Sequence, residues 1–180
     1  MHKEAWDFVE GVKAKFPEAF KGKRVLEVGS RYINGTVRTL FDGCDYTGLD
    51  LSPGPCVDMD YHVVAFKQCV WEPLEHEPYG TIISCEALEH DKHWAESIRA
   101  MWDMLDNGGT LIITAGGTGR PEHGTTRTSP ADSPATTDYY GNITKEMFWE
   151  VFNPWPDKPS FRDFFIEDKD GDFRFWGLKA

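Results

Sequence analysis

Between Arg24 and Gly35 the chain reads Arg-Val-Leu-Glu-Val-Gly-Ser-Arg-Tyr-Ile-Asn-Gly. A short apolar run carries an acid, a glycine turn follows, and then comes a segment able to start a helix. This is a strand–loop–helix unit with a carboxylate at the strand's carboxyl end, where open α/β sheets bind ligands. Glycine lets the backbone turn sharply and lets a ligand come close. Asn34 or Thr36 is placed to cap a helix over Val37 to Phe41. Taken singly the unit also reads as an ordinary βα turn, because one glycine-rich turn is a weak motif. A second short strand, Tyr46–Asp50, also ends in an acid. A carboxylate about 20 residues beyond the glycine turn, at the tip of the neighbouring strand, can accept hydrogen bonds from both ribose hydroxyls of a nucleoside. Two acids at adjacent strand tips are more specific than either alone.

The remaining pattern alternates helix and strand. Ala5, Phe8, Val9, Val12 and Phe16 fall at helical spacing among charged residues, which predicts an amphipathic helix ending before Pro17. Ser52-Pro53-Gly54-Pro55 is too stiff for a helix, so the crossover after the second strand is short or irregular. A third strand is expected within Val57–Val64, and Trp71 to Tyr79 reads as loop with a helical turn. Thr81–Cys85 is a central strand with Glu86-Ala87-Leu88-Glu89-His90 at its carboxyl end. Trp94, Ile98, Met101 and Leu105 mark a helix that Asp106-Asn107-Gly108-Gly109 stops, and Thr110–Thr114 is the next strand. Gly116 to Asp138 has no periodicity. A loop of that length leaving a strand's carboxyl end is expected to be a lid or binding loop. Thr144 caps a short helix through Met147, Phe148 and Val151 that Pro154 ends. The chain closes on a β-hairpin, Phe164–Glu167 and Asp172–Gly177, with Asp170-Gly171 at its bend. One domain over 1–180 is expected.

Charge and composition exclude some functions. A formal net charge of −11, with basic residues scattered, opposes broad nucleic-acid binding. No apolar run is long enough to span a bilayer, and the amino terminus is not signal-like, so a cytoplasmic location is expected. Cys44, Cys56, Cys69 and Cys85 form no CxxC pair and read as free thiols.

The residues resemble class I S-adenosylmethionine-dependent methyltransferases, particularly the small type 11 group. The resemblance rests on Val25–Gly35, on Tyr46–Met59, on Ile82–Asp91 and on Asp106–Gly124, together with the terminal hairpin. It implies a Rossmann-like, doubly wound, mostly parallel seven-stranded sheet with a C-terminal antiparallel hairpin. It implies S-adenosylmethionine as cofactor, with Glu27, Gly29, Ser30, Arg31 and Asn34 in the first loop and Gly29 nearest the methionine part. Asp50 and Leu51 correspond to the ribose-binding tip. Asp60 and His62 fall in the adenine-contacting region, and Cys85 and Glu86 at the fourth strand tip beside the methionine moiety and the substrate. The chain departs from the family where Arg31 and Ile33 stand in place of the later glycines. Arg31 then either points its guanidinium at the cofactor carboxylate or forms a surface ion pair.

Methyl transfer from a sulfonium is an in-line displacement, so positioning matters most. A base within reach helps a hydroxyl or amine nucleophile. Glu86, His90 and His123 are the candidate catalytic residues, with His93 a further histidine nearby; each histidine also reads as a structural side chain. Tyr139 and Tyr140 read as pocket lining or as packing. His90, Asp91 and His93 do not share a compact helix face, so no metal is expected. The acceptor is expected to be a small molecule or an exposed group of a larger one. A non-catalytic cofactor-binding or interaction module on the same fold is the alternative. An NAD-dependent oxidoreductase fits poorly, because Gly29 and Gly35 are not spaced as the dinucleotide fingerprint requires.

Overall fold

The computed structural model of the chain describes residues 2–72, 76–153 and 160–180. Seven strands form one sheet: β1 (Arg24–Val28), β2 (Asp45–Asp50), β3 (Met59–Asp60), β4 (Tyr79–Cys85), β5 (Leu105–Gly116), β6 (Phe161–Lys169) and β7 (Asp172–Lys179). Their order is β3-β2-β1-β4-β5-β7-β6. The first five run parallel, and β7 lies antiparallel between β5 and β6. This is the Rossmann-like, doubly wound sheet with an antiparallel end that the sequence implies. The order reverses between β1 and β4, and the crevice outside their carboxyl ends is the binding place of such sheets.

Alternation along each strand sends side chains to two separate cores. Val25, Ile83, Ile112 and Trp176 face one side with Val9 and Val12 of α1 (Lys3–Lys15) and with Phe20, Val37 and Leu40. Leu26, Leu49, Ile82, Leu111, Ile113, Phe173 and Phe175 face the other. That second face is covered by α2 (Val63–Phe66), α3 (Trp94–Met104) and α4 (Lys145–Glu150), through Phe66, Ile98, Met101 and Phe148. α1 stops where expected, and the Phe16 ring meets Trp176 edge-on at 4.9 Å. Thr144 Oγ1 accepts the Met147 N–H at 3.3 Å, as a cap should. The hairpin bend has Asp170 and Gly171 at φ 56° and 86°, the left-handed pair of a two-residue turn.

Two local expectations fail, and a third, the strand within Val57–Val64, is met by a shorter element than its range. The helix over Val37 to Phe41 is only a 3₁₀ turn, Arg38–Leu40. Its neighbours Gly35, Thr36 and Thr39 are poor helix formers. Arg38 is also drawn sideways to Asp58, 3.0 Å away. The third strand is two residues long, because His62 Nδ1 accepts the Val64 N–H and turns the chain into α2. The glycines at 108 and 109 do not separate helix from strand. β5 starts at Leu105 opposite Tyr79, and the turn residues bulge out before pairing resumes at Thr81 and Thr110. Pro154 lies outside the described residues, as does part of the Trp71–Tyr79 segment. Among the described residues no helix is long and apolar enough to cross a membrane.

Candidate functional site

A cavity of about 270 Å³ opens outside the carboxyl ends of β1, β2 and β4. Glu27, Gly29, Ser30, Arg31 and Asn34 border it from the β1 side, and Asp50 and Leu51 from β2. His62, Cys85, Glu86 and His90 border it further along, and His123 closes it from the long loop. Asp60 is exposed and is not among the bordering residues. Glu27 and Asp50 therefore meet the same space, as their spacing requires.

At the β1–β2 end both acids have partners. The Tyr46 hydroxyl donates to Glu27 Oε2 at 2.8 Å. Burial pushes the Glu27 carboxyl up to about 7, with the Tyr46 hydrogen bond and the Arg38 charge pulling the other way. Asp50 accepts the backbone N–H groups of Arg31 at 3.1 Å and of Ser52 at 3.3 Å. Gly29 has φ 81°, and a Cβ there would sit 2.2 Å from Ala87 Cβ, so only glycine lets the β1 and β4 tips approach. The Arg31 guanidinium donates from Nη1 to Ser52 Oγ at 2.6 Å and packs over Gly54. It is pinned to the β2–β3 loop, an arrangement that neither sequence reading foresaw. Ser30 is 2% exposed, and its Oγ has no hydrogen-bond partner among the described residues.

The β4–β5 end is assembled from distant segments. Glu86 sits at φ 54°, a strained value for a residue with a side chain. His2 donates from Nδ1 to Glu86 Oε2 at 3.0 Å and from Nε2 to Asp172 Oδ1 at 3.1 Å. Arg120 donates to Asp172 Oδ1 at 2.6 Å. The His2–Glu86 hydrogen bond raises the imidazole's pKa. Burial alone pushes the Glu86 carboxyl up, but His2 and Arg120 outweigh it and hold that carboxyl below the usual range.

Beyond this ion cluster lie Glu89, His90 and His123. Glu89 is fully buried, and burial with the nearby Glu86 charge pushes it up to about 8. His90 is pushed down to about 4 by burial and by His123. The His90 and His123 rings stand edge to face at 4.9 Å, and Tyr140 packs against both. Asp91 also borders the cavity, but its carboxylate is engaged elsewhere: it pairs with His62 Nε2 at 3.0 Å and accepts from Ser97. The His93 ring stacks edge-on to His62 rather than joining His90. Burial pushes the Cys85 thiol up, so it stays protonated.

Sequence reasoning missed His2, Arg120, Asp172 and Glu89 as site residues. Nothing local marks the first three. Glu89 had a signal: it shares the turn after a central strand with Glu86 and His90.

No family model matches the sequence, and no curated protein matches it. Solved structures share the fold, which is that of class I S-adenosylmethionine-dependent methyltransferases. One is the Burkholderia thailandensis 1,6-didemethyltoxoflavin-N1-methyltransferase with 1,6-didemethyltoxoflavin and S-adenosylhomocysteine bound. It has a TM-score of 0.63 at 12% identity, over 98% of this chain and 78% of that one. A second is magnesium protoporphyrin IX methyltransferase from Synechocystis PCC 6803 with S-adenosylmethionine bound, with a TM-score of 0.58 at 13% identity over 96% and 78%. A third is the N-methyltransferase NodS from Bradyrhizobium japonicum, with a TM-score of 0.54 at 14% identity over 97% of each chain.

Proposed function

We propose that the chain is an S-adenosylmethionine-dependent methyltransferase of the type 11 kind, acting on a small-molecule acceptor. The carrying observation is that Glu27 and Asp50, on adjacent parallel strand tips, border one cavity beside the Gly29 turn. The cavity's groups suit an adenosyl sulfonium compound. Asp50 accepts two backbone N–H groups and keeps lone pairs for two ribose hydroxyls. Buried Ser30 Oγ, without a partner among the described residues, borders the same space. Leu49, Val63 and Leu88 supply apolar wall.

The cofactor supplies an electrophilic methyl group already activated by its positive charge. The protein's part is then to orient the acceptor on the sulfur–carbon axis and to receive its proton. Burial and His123 push the His90 imidazole down to about 4, so it is uncharged at neutral pH and suits orienting the acceptor through a hydrogen bond more than taking up its proton. His123 offers a second imidazole from the loop over 116–138, which reads as the acceptor side of a single catalytic domain. Glu86 is ionised and held by His2 and Arg120, which suits it to positioning a donor group more than to taking a proton. The cytoplasm, with free thiols, is the compartment that fits the four unpaired cysteines. The net charge of −11 argues against a nucleic-acid acceptor.

Calorimetric titration with S-adenosylhomocysteine tests the cofactor reading, and no heat at millimolar ligand defeats it. Incubation with isotopically labelled S-adenosylmethionine and small-molecule extracts, followed by mass spectrometry, tests turnover. A second reading is a non-catalytic cofactor-binding module of the same fold. It is favoured by the replacement of the first crossover helix with the Arg38–Leu40 turn, and it predicts binding with no labelled product.

A further inference from the structure

We propose that Glu89, His90 and His123 form a binding site for a divalent transition-metal ion, zinc or cobalt(II) in type, at the substrate end of the cavity. One donor atom from each residue lies within 4.8 Å of the other two. Donors around an ion with bonds of ~2.1 Å stand about 3.4 Å apart in a tetrahedral site, so a small closure completes the set. That closure falls to His123, which is carried on a loop.

Glu89 is 0% exposed; its carboxyl faces the backbone N–H groups of Gly116 and of Glu89 itself, and no side chain among the described residues is hydrogen-bonded to it. His90 is 6% exposed, and its Nδ1 is buried without a partner. Buried polar groups are nearly always paired, so a buried acid with no side-chain partner next to a buried imidazole nitrogen with none calls for an explanation. The surroundings look constructed. His123 Nδ1 lies 3.2 Å from the Pro121 carbonyl oxygen, which can only accept. The proton is thereby fixed on Nδ1, and Nε2 keeps the lone pair, the usual arrangement behind a ligating imidazole. Gly124, at φ 69°, passes so close over His90 that a Cβ would lie 2.5 Å from its Cε1. Only glycine lets the loop come down there, and the next residue back is His123.

Two imidazoles and one carboxylate select borderline divalent ions over calcium or magnesium, which take oxygen ligands. Three protein ligands leave coordination positions open. His90 and His123 border the cavity and Glu89 lies behind them, so those positions face the cavity and suit an oxygen donor there. This departs from the sequence expectation of no metal, which weighed Asp91 and His93 instead. Asp91 is committed to His62, Ser97 and the His93 N–H. Ion binding stands independently of methyl transfer; only a role for the ion in acceptor binding rests on that reading.

The test uses the full chain, stripped with chelator and titrated with cobalt(II), followed by visible absorption and calorimetry. One saturable equivalent with a ligand-field spectrum is expected. Glu89→Gln and His123→Ala should each weaken it by more than about tenfold, while His93→Ala should leave it unchanged. No saturable cobalt(II) uptake overturns the proposal. So does uptake that His123→Ala leaves intact, which would mean adventitious binding elsewhere. His123→Ala changes only a loop side chain, so it carries the test even if Glu89→Gln does not fold. S-adenosylhomocysteine binding by the same samples is read separately: its absence with cobalt(II) bound defeats the methyltransferase reading alone.

Discussion

At the β1–β2 end of the cavity, both acids take partners from nearby chain: Glu27 from Tyr46, and Asp50 from the Arg31 and Ser52 backbone. At the β4–β5 end the partners come from far away. Glu86 depends on His2, and Arg120 on Asp172, while the Glu89 carboxyl has no side-chain partner, and His90 Nδ1 and the Tyr140 hydroxyl have no hydrogen-bond partner, among the described residues. The first end is set by β1, β2 and the turns that leave them, with both acids already hydrogen-bonded. The second is polar, partly unsatisfied and held by a loop and an amino-terminal residue. An invariant ligand suits the first, and a variable one suits the second.

The most disruptive way to break this contrast is Gly29→Ala. Gly29 is where the two ends touch, and a methyl group there would strike Ala87 while holding φ near 81°. Overpacking plus a left-handed alanine should cost about 4 kcal/mol of stability, read by urea unfolding. A loss under about 1 kcal/mol would mean the strand tips are not locked together.

Next in size is a pH effect at the β1–β2 end. Glu27 is raised to about 7 from 4.5, so the folded chain keeps a proton there that the unfolded chain releases. Stability from this group is fully present below about 4.5 and is lost as the pH rises toward about 7. Glu27→Gln removes that loss. The variant should match the parent at pH 4 and exceed it at pH 8 by up to about 3 kcal/mol. Equal pH profiles would show Glu27 to be ordinary.

Asp50→Ala separates binding from folding. It should weaken S-adenosylhomocysteine binding by about 1–3 kcal/mol, measured calorimetrically, because ribose hydroxyls lose an ionised acceptor. Unchanged affinity would move the nucleoside to the other end. The smallest effect is expected for His2→Ala. It removes a quarter-exposed imidazole from Glu86 and Asp172 and should cost no more than about 1 kcal/mol in thermal or urea unfolding. A larger loss would make the amino terminus a structural keystone rather than a clamp on the site.

The β1–β2 end was legible in the sequence because its parts are local. β1, β2, the Gly29 turn and the spacing to Asp50 are short-range patterns of alternation and turn chemistry. α1 and the Asp170-Gly171 hairpin were readable on the same terms. The helix over Val37 to Phe41 was misread because apolar spacing was weighed above poor helix propensity and the pull of Arg38 toward Asp58. The third strand shrank because a histidine cap competed with it. The variable end was mostly illegible. His90 and His123 were named singly, but what joins them to Glu89 is the descent of Gly124 onto His90, a contact that no spacing encodes. His2 carries no motif at all, and its role comes entirely from where α1 is docked.

That docking bears on how the chain tolerates extension. His2 lies on the rim of the cavity, so a peptide joined to the chain's start begins next to a residue that touches Glu86 and Arg120. A purification handle fused there would crowd the entrance and compete for the carboxylates. One appended after Ala180 leaves from the far side of the hairpin, where the Ala180 N–H donates to the Ser160 carbonyl.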